Sequence, residues 1–482
     1  MTHPTMPNPY PLGSPNHSAP RPASDSLLEE LRDAGVRYDT SPDDRANHGR
    51  DWWPLTIPDV ASGRVPQWPS AVVYPISTQE VSRVAQIATK HSVPLTAQGG
   101  RSGVLGGAAA PTGALALDLT GLDRVIGIDS ISGTVSVEAG VFGPDLESIV
   151  NEHGWTVGHF PQSFNLSTVG GWIACRGAGQ YSNRYGKIED IVRSLTVVTA
   201  NGDVIDVGDS GPRRAVGPDL TQLFVGSEGT LGIITRATLV MHPIARTERR
   251  SAFLFDSFDV GMDACRRIMQ SDAHPAVLRL YDQNESKRNF DLEGCALIAL
   301  DEGDQLLVSA TMEIVQRECQ SARTLESSYV ATWLSHRNRV DALVPLWESG
   351  LVVDTIEVAG SWSTLPAMRE RVIASLKDLN GIVMVSVHQS HAYLDGACLY
   401  FTFVGRRDDT KELYREAWDV VTAKVLEGGG ALSHHHGIGR NRARFVERAL
   451  GTAFPLLDAL KKELDPHSIM NPGVLGIGGK PW

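Results

Sequence analysis

Residues 95–107 have the sequence LTAQGGRSGVLGG, which is the strongest structural signal in the chain. Its first positions favour a β-strand, and a loop with five glycines and one arginine follows. Because glycine tolerates positive φ and leaves its amide uncovered, such a loop can wrap around an anionic ligand. The loop lacks the ending of a P-loop and the glycine spacing of a Rossmann turn. The stretch predicts an anion-binding loop, with a glycine-rich turn that binds nothing as the alternative.

Strand and helix patterns alternate around this loop. A capping box at Ser77–Glu80 opens a helix, a second helix is predicted over 144–153, and Asn201-Gly202 predicts a hairpin turn. Strands are predicted over 71–75, 93–97, 114–119, 125–128, 134–138, 191–199, 204–207 and 233–242. Further along, helical patterns over 257–270, 311–330, 364–379 and 409–427 alternate with strands over 296–300, 382–387 and 398–404. This second region predicts an α+β domain with an antiparallel sheet.

Composition narrows the class of protein. The 482 residues carry a net charge of −12, which argues against general nucleic-acid binding. The five cysteines are scattered without C-x-x-C spacing, so we expect free thiols in a reducing compartment. No signal-peptide pattern and no run of 18 apolar residues is present, so we expect no membrane span and a cytoplasmic location.

Two further segments of small residues follow the first loop. Residues 226–232 are GSEGTLG, and residues 161–171 are PQSFNLSTVGG, followed by WIACRGAG. Glycine lets the backbone approach a flat or anionic group at these places. Three such segments in one region predict a single extended ligand with several polar parts.

The order of these segments resembles the FAD-binding domain of the vanillyl-alcohol oxidase and p-cresol methylhydroxylase superfamily. The resemblance covers roughly residues 50–482, and its landmarks are QGGRSG at 98–103, STVGGW at 167–172, NRYGKIEDIV at 183–192, GPDL at 217–220 and GSEGTLGIIT at 226–235. It implies an α+β fold, with an FAD-binding domain of two subdomains and an α+β cap domain. We expect a disordered tail at 1–25, a helical segment at 26–49, the FAD-binding domain at 50–245, the substrate or cap domain at 246–430, and a C-terminal segment at 431–482 that returns to the FAD domain.

The resemblance also implies which residues hold the cofactor. The first loop would bind the FAD diphosphate, and the later segments would contact the rest. The implied residues are Gln98, Gly99, Gly100, Arg101, Ser102, Gly103, Pro161, Ser167, Thr168, Gly171, Arg176, Glu228, Gly229, Thr230 and Ile233. Some members attach FAD through a histidine in the first loop. This chain has no histidine between Gln98 and Gly113, so we expect a non-covalent flavin.

The C-terminal half contains HQSHAYLDGACLY at 388–400 and HHHGIG at 434–439. The metal-binding motifs of the D-2-hydroxy-acid dehydrogenases, H-x-G-D-G-N-x-H and E-H-G, are not matched. Three adjacent histidine side chains also point in different directions, so we expect no metal. The motifs Y-x-x-G-A-C-x-Y and H-H-H-G are instead similar to the alkylglycerone-phosphate synthases.

That branch implies the active-site roles. Tyr393 would act as base, with a core tyrosine in a strand as the alternative. His435, His436 and Arg279 would complete the catalytic group and supply the positive charge that a phenol needs to act as a base. His434 and Glu348 would contact the substrate. Glu348 stands, by ungapped matching, where the synthases have a phosphate-binding arginine, which argues against synthase activity.

Together these features predict an FAD-dependent oxidoreductase that oxidises a small alcohol or 2-hydroxy acid by hydride transfer to flavin N5. Two alternatives stay open: a non-redox flavoenzyme similar to the synthases, and a catalytically silent flavin-binding protein. The resemblance also implies a homodimer. We expect a small-molecule substrate and no nucleic-acid partner.

Overall fold

The computed structural model describes residues 19–208 and 211–479. Most of the predicted disordered tail, residues 1–18, lies outside the described residues. The rest of that tail is bonded to the body of the protein: Ala23 N donates to Ser70 O at 3.1 Å, and Arg45 Nη1 donates to Pro20 O at 3.0 Å. For residues 19–25 the prediction of disorder is therefore corrected.

The first sheet carries the first glycine loop, residues 98–107. Its elements are α1 (Asp25–Asp33), β1 (Arg37–Asp39), α2 (Pro42–His48), α3 (Ile57–Ala61), β2 (Ala71–Tyr74), α4 (Thr78–Lys90), β3 (Leu95–Gln98) and β4 (Leu115–Asp118). The strand order is β1-β2-β4-β3, with β2, β3 and β4 parallel. The loop leaves the carboxyl end of β3, where open parallel sheets bind ligands. The segment at 26–49 was predicted to be helical, but it also contains β1, which pairs with β2.

The second sheet is antiparallel, in the order β5-β6-β10-β8-β9. This part of the chain contains β5 (Val125–Asp129), β6 (Thr134–Glu138), α5 (Gly143–Glu152), β7 (Trp155–Thr156), α6 (Val169–Ala174), α7 (Ser182–Tyr185), α8 (Ile188–Ile191), β8 (Val192–Val198), β9 (Val204–Gly208), α9 (Thr221–Phe224), β10 (Ile233–Val240) and β11 (His242–Pro243). The predicted hairpin is formed by β8 and β9. A separate core fills this second subdomain.

The third sheet has seven antiparallel strands in the order β15-β12-β14-β13-β17-β18-β16. Its elements are β12 (Thr247–Phe255), α10 (Phe258–Met269), β13 (Val277–Tyr281), α11 (Gln283–Phe290), β14 (Cys295–Gly303), α12 (Gln305–Glu318), β15 (Arg323–Leu325), α13 (Ser328–His336), α14 (Val344–Glu348), β16 (Val352–Ser361), α15 (Leu365–Lys377), β17 (Ile382–Ala392), β18 (Gly396–Gly405) and α16 (Thr410–Glu427). Helices α10, α12, α15 and α16 cover one face and bury the largest core. The single helix predicted over 311–330 is wrong, because α12 ends at Glu318 and β15 pairs with β12 before α13 begins.

The C-terminal residues return to the first sheet. After α17 (Val446–Leu450) and α18 (Phe454–Leu464), Leu95 N donates to Ile469 O at 2.7 Å, and Asn471 N donates to Leu95 O at 2.9 Å. The predicted α+β fold with an antiparallel cap sheet is confirmed. Within the described residues, no helix combines the length and apolar character needed to cross a membrane.

Candidate active site

The first glycine loop packs tightly against the segment that carries Ser167 and Thr168. A methyl group on Gly99 would lie 2.1 Å from Thr168 Oγ1, and one on Gly100 would lie 1.8 Å from the carbonyl oxygen of Leu166. Side chains at these two positions would therefore push the segments apart. Thr168 caps α6, where its hydroxyl accepts from Gly171 N.

The polar groups of this loop fit the diphosphate of FAD. Gln98 Nε2 donates to the carbonyl oxygens of His48 and Ala108, which fixes the loop on the end of β3. Arg101 has φ of 53° and lies half-buried. Its Nη1 is 3.6 Å from Asp118 Oδ2, while its Nε has no hydrogen-bond partner among the described residues. A guanidinium with free donors beside bare amides is suited to a phosphate oxygen.

The side chains of the second glycine loop, residues 226–232, bond to other parts of the protein, although they were expected to contact the cofactor. The Glu228 carboxylate accepts from Ile438 N at 2.6 Å and Gly439 N at 2.8 Å. The Thr230 hydroxyl donates to Ser227 O, and the Ile233 side chain lies in the core of the first sheet. Contact between these side chains and FAD stays a prediction. Because the side chains bond elsewhere, the backbone of the loop is the part that remains available to the cofactor.

The other residues implied for the cofactor lie around the same three segments. Ser167 Oγ accepts from Trp172 Nε1, and Arg176 Nη2 donates to Gln222 Oε1 and Val225 O. A methyl group on Gly229 would lie 3.8 Å from Ala97 Cβ, which places this glycine beside β3. Partly exposed positions are held by Ser102 and Pro161, and Gly103 is exposed.

The cap sheet presents a row of polar side chains opposite its helices. Tyr281 is opposite His388 in the β13–β17 register, and Tyr400 is opposite both His388 and Glu357 in its two registers. Cross-strand partners share one face, and so does Arg279, two residues before Tyr281. Their chain neighbours Leu280, Val387, Phe401, Ile356 and Val358 lie in the core on the helix-covered face.

Six side chains from four chain segments form a closed ring of hydrogen bonds. Tyr393 Oη is 3.0 Å from His434 Nε2, and the Nδ1 atoms of His434 and His435 are 2.8 Å apart. His435 Nε2 is 2.8 Å from Tyr400 Oη, which lies 3.4 Å from His391 Nε2. Ser182 Oγ closes the ring at 2.8 Å from His391 Nδ1 and 3.3 Å from Tyr393 Oη. One tautomer set lets every member donate once and accept once around the ring.

Burial keeps this ring neutral. It lowers the pKa of His434 to about 3 and that of His435 to well below its usual range, and it lowers the pKa of His436. Burial raises the pKa of the Tyr393 phenol. We expected positive charge from His435 and His436, and this expectation is corrected, because a buried imidazole loses its proton at neutral pH. Among the predicted catalytic residues, Arg279 alone carries a fixed charge.

A buried ion pair holds the histidine loop, residues 434–439. The Glu357 carboxylate accepts from Ser433 Oγ, from the amides of His434 and His436, and from Arg442 Nη1 at 2.8 Å. Glu357 and Arg442 are both fully buried. Arg442 together with the hydrogen-bond donors around the carboxylate holds the pKa of Glu357 at about 2, against the effect of burial. The carboxylate thus stays ionised and orients the loop.

Arg279 has polar neighbours but no acidic partner. Its Nη2 donates to His388 Nε2 at 3.0 Å, and its Nε donates to Tyr281 Oη at 3.1 Å. His388 Nδ1 lies 2.8 Å from Glu285 Oε2, so the carboxylate is one ring removed from the arginine. No carboxylate oxygen of the described residues lies within 4.0 Å of Arg279. This guanidinium is free to bind an anion.

Glu348 does not lie near Arg279 or the hydrogen-bonded ring. It is exposed at the end of α14, whose Trp347 packs 6.2 Å from the Tyr414 ring and donates to Val353 O. That packing anchors the helix in the core on the far side of the cap sheet. The predicted substrate contact of Glu348 has no support from its position, and neither has the argument that its charge excludes a phosphate.

The metal prediction rested on the divergence of adjacent histidines. His434 and His435 turn their rings toward each other and toward His391, and one ligand atom from each lies within 4.8 Å of the others. A second group of potential ligands is Glu357, Cys398 and His435. In the first group, the Nδ1 atoms of His434 and His435 are already hydrogen-bonded to each other. Absence of a metal therefore stays a prediction, without the geometric argument first given for it.

Several residues of this site were not among those predicted from the sequence. His391 and Tyr400 stand inside the quoted motif, which was the available signal, and Tyr400 shares the strand period with Cys398, whereas His391 lies at a register shift with φ of 52°. Ser182 and Glu357 carry no local signal. The fully buried ring of His159 also has no hydrogen-bond partner among the described residues, and its centroid lies 4.7 Å from that of Trp172, with the two rings tilted by 52°, beside Gly177.

Two family models match the chain. The FAD binding domain model covers residues 69–208, and the model of the C-terminal domain of FAD linked oxidases covers residues 244–475. The first contains the first glycine loop and the Ser167–Thr168 segment. The second contains the cap sheet and the histidine loop.

Curated relatives align over most of the chain. The FAD-linked oxidoreductase YgcU of Escherichia coli strain K12 is 32% identical over 431 residues, which are 84% of this chain and 89% of the relative. Alkyldihydroxyacetonephosphate synthase of Dictyostelium discoideum is 30% identical over 457 residues, 86% of this chain and 74% of the relative. Glycolate oxidase subunit GlcD of Bacillus subtilis is 29% identical over 454 residues, 89% of this chain and 93% of the relative.

Solved structures share the whole architecture. An alkyldihydroxyacetonephosphate synthase has a TM-score of 0.80 and 26% identity, covering 95% of this chain and 87% of its own. A p-cresol methylhydroxylase has a TM-score of 0.76 at 17% identity, covering 94% of this chain and 96% of its own, which speaks for the fold alone. The chain therefore belongs to the FAD-linked oxidoreductases of the vanillyl-alcohol oxidase and p-cresol methylhydroxylase superfamily, and it is an FAD-binding enzyme.

Proposed function

We propose that this enzyme oxidises a small hydroxyl-bearing acid, of the 2-hydroxy acid or acidic alcohol type, to the corresponding carbonyl compound. The observation that carries the proposal is the hydrogen bond between Tyr393 and the neutral ring of His434. Arg279 lies on the same side of the cap sheet, and among the described residues it bonds to His388 and Tyr281 but to no carboxylate. FAD, when bound, supplies the two-electron acceptor for the hydride that leaves the substrate carbon.

Proton removal from the substrate hydroxyl is assigned to Tyr393 and His434 acting together. Because burial raises the pKa of Tyr393, the side chain stays a neutral phenol and needs a partner that takes its proton. If the phenol passes its own proton to His434 Nε2 as it takes the substrate proton, no phenolate forms. The 2.8 Å contact between His434 Nδ1 and His435 Nδ1 offers the proton a path onward along the hydrogen-bonded ring, so that no single buried histidine has to hold the charge. Oxidation thus removes a hydride from the carbon and a proton from the oxygen.

Arg279 is assigned to the acid group of the substrate. A partly buried guanidinium without a carboxylate partner favours an anion, and its fork suits a carboxylate. Replacing Arg279 with Leu should raise KM for the acid by about 10- to 100-fold, since a charge-assisted hydrogen bond is lost. The corresponding uncharged alcohol should show no such change, and equal effects on both substrates would contradict the assignment. Steady-state kinetics of both substrates provide the measurement.

The test of the reaction is anaerobic mixing of holoenzyme with a panel of hydroxy acids. A substrate should bleach the visible absorbance of the flavin in the wild type and should bleach it at least about 100-fold more slowly in Tyr393→Phe. GlcD is named as a glycolate oxidase subunit, so glycolate and lactate belong in the panel. If no member of a broad panel bleaches the flavin, the proposed oxidation is wrong.

A second candidate is the non-redox chemistry of the synthases. The synthase from Dictyostelium is 30% identical, and the exposed position of Glu348 removes the charge argument against it. A synthase would exchange the acyl group of an acylated hydroxyketone phosphate for a fatty alcohol, with no net reduction of the flavin. Mass spectrometry of the products, after incubation of the holoenzyme with both of these substrates, distinguishes the two reactions.

The flavin, the assembly and the compartment complete the proposal. The resemblance supports a non-covalent flavin and a homodimer, and the scattered thiols support a cytoplasmic location. Sedimentation analysis of the holoenzyme tests the dimer, and a monomer at micromolar concentration would contradict it.

A further inference from the structure

The side-chain amide of Asn471 connects the two glycine loops. Its Nδ2 donates to Gly107 O in the first loop at 3.0 Å and to Glu228 O in the second at 2.8 Å. Its Oδ1 faces two donors, Thr96 Oγ1 at 3.3 Å and Arg440 Nη2 at 3.4 Å. Both N–H groups and both lone pairs of one carboxamide are thereby engaged. The residue is 1% exposed, so water offers no substitute.

A buried lysine anchors the same segment to the second glycine loop. Lys461 Nζ donates to Thr230 O at 2.9 Å, to Met470 O at 2.7 Å and to Asp465 Oδ2 at 2.5 Å. All three ammonium donors are therefore used. Because the ion pair Lys461–Asp465 lies inside the protein, the chain that presents Asn471 is held in one position.

The Glu228 side chain continues the connection to the histidine loop. Its carboxylate accepts from Ile438 N and Gly439 N. It lies between two glycines: a methyl group would be 2.8 Å from Oε2 at Gly107 and 2.9 Å from Oε1 at Gly437. The carboxylate thus occupies space that only glycines on both sides leave free. The histidine loop is tied to the second glycine loop through this one side chain.

We infer that Glu228 and Asn471 are positioning residues that couple FAD binding to the placement of the catalytic histidines. Asn471 holds the two glycine loops at a fixed separation. Glu228, in the second loop, then fixes residues 434–439 relative to both loops through its hydrogen bonds. Neither residue needs to touch a reacting atom for this role. The inference concerns FAD binding and loop order, so it does not depend on which reaction the enzyme catalyses.

The first experiment needs no variant. Hydrogen–deuterium exchange of residues 434–439 is compared between wild-type apoprotein and the same protein with FAD. We expect FAD to slow exchange of this peptide by about 10-fold or more, because ordering of the glycine loops restrains the two amides held by Glu228. Unchanged exchange on FAD binding would overturn the coupling.

The second experiment separates the two residues. Asn471→Asp keeps the shape but replaces two donors with a charge that faces two carbonyl oxygens, so FAD Kd should rise about 10-fold or more. Glu228→Gln should change FAD Kd by less than about 3-fold, yet raise exchange at residues 437–439 and lower kcat without raising KM. Matched controls are Asn284→Asp, whose amide donates to Val385 O in the cap domain, and Asp129→Asn, which accepts two amides in a hairpin turn.

The controls should lower thermal stability without changing FAD Kd or exchange at the histidine loop. Wild-type FAD affinity in Asn471→Asp would contradict its role. Wild-type exchange in Glu228→Gln would contradict the connection to the histidines. If either variant fails to fold, the comparison of apo and holo wild type still decides the coupling. The FAD affinity and the hydrogen–deuterium exchange are measured without turnover, so failure of the proposed oxidation is distinguishable from failure of the coupling.

Discussion

The hydroxyl of Tyr393 is hydrogen-bonded to a ring that burial keeps neutral. With its pKa lowered to about 3, His434 stays uncharged across the physiological range, so its Nε2 can accept a hydrogen bond from the phenol. The positive charge that sequence analysis sought from the histidines is absent for the same reason. In this site a neutral acceptor beside the phenol takes the place of a neighbouring cation.

Replacing Tyr393 with Phe should lower kcat by at least about 100-fold, since it removes the group that exchanges protons with the substrate and His434. Substrate KM and the visible flavin spectrum should stay close to wild type. Stopped-flow reduction under anaerobic conditions gives the rate of the chemical step. Tyr38→Phe serves as control, because it removes a hydroxyl that accepts from Arg32 Nη2, far along the chain from the site. An unchanged rate in Tyr393→Phe would mean that this tyrosine is structural.

Glu228 should make the free energy of unfolding depend measurably on pH. Burial raises its pKa to about 7, whereas an unfolded glutamate titrates near about 4.3. Between these values the folded state binds more protons, so its contribution to the free energy of unfolding falls as pH rises through the window. Between pH 5 and pH 8, wild-type Tm should fall by roughly 2 °C more than that of Glu228→Gln. Equal pH slopes in calorimetry would contradict this.

At the scale of elements, the cap sheet determines which side chains meet. The strand period places Arg279, His388, Tyr400 and Glu357 on one face while their neighbours fill the core. The sequence predicted β17 and β18 of this row but not β13 or β16, and it did not give the strand order, because β13 and β16 join the β17–β18 hairpin through long connections. The histidine loop then docks across the row and closes the hydrogen-bonded ring.

The first glycine loop should tolerate no side chain at Gly100. The added methyl would lie 1.8 Å from Leu166 O, so Gly100→Ala must separate the loop from the Ser167–Thr168 segment. We expect FAD Kd to rise by at least about 10-fold, because the bare amides no longer meet the diphosphate. Gly127→Ala is the matched control, since nothing lies within 4 Å of its methyl. Fluorescence titration of apoprotein with FAD measures both, and equal affinities would argue against the loop as the FAD site.

At the scale of the whole molecule, the prediction of a non-covalent flavin depends on the lack of an activated nucleophile in the first glycine loop and at Cys175. No histidine or cysteine stands between Gln98 and Gly113, and burial raises the pKa of Cys175 to about 12, which keeps this thiol neutral. Acid precipitation should therefore release nearly all flavin into the supernatant. Fluorescent flavin in the pellet would contradict a non-covalent cofactor, and peptide mapping would then test His159 first.

The sequence predicted an anion-binding loop and the strands and helices from local geometry, and the family resemblance implied the cofactor and the arrangement of domains. Glycines at 99, 100 and 103 mark a backbone that approaches an anion, and hydrophobic periods mark strands and helices wherever they later pack. The bounds of β6, predicted over 134–138, match the structure. The single helix over 311–330 failed because the edge strand β15 depends on pairing with β12, some 70 residues earlier.

Tertiary structure decided the chemistry of the site. The charge of His434 and His435, the partners of Glu228 and the remote position of Glu348 depend on burial and on hydrogen bonds between segments far apart in the chain. A pattern of residue types carries no information about desolvation or about which distant donor meets which acceptor. The sequence therefore determined what the protein binds, while packing determined which side chains face that ligand and in which protonation state.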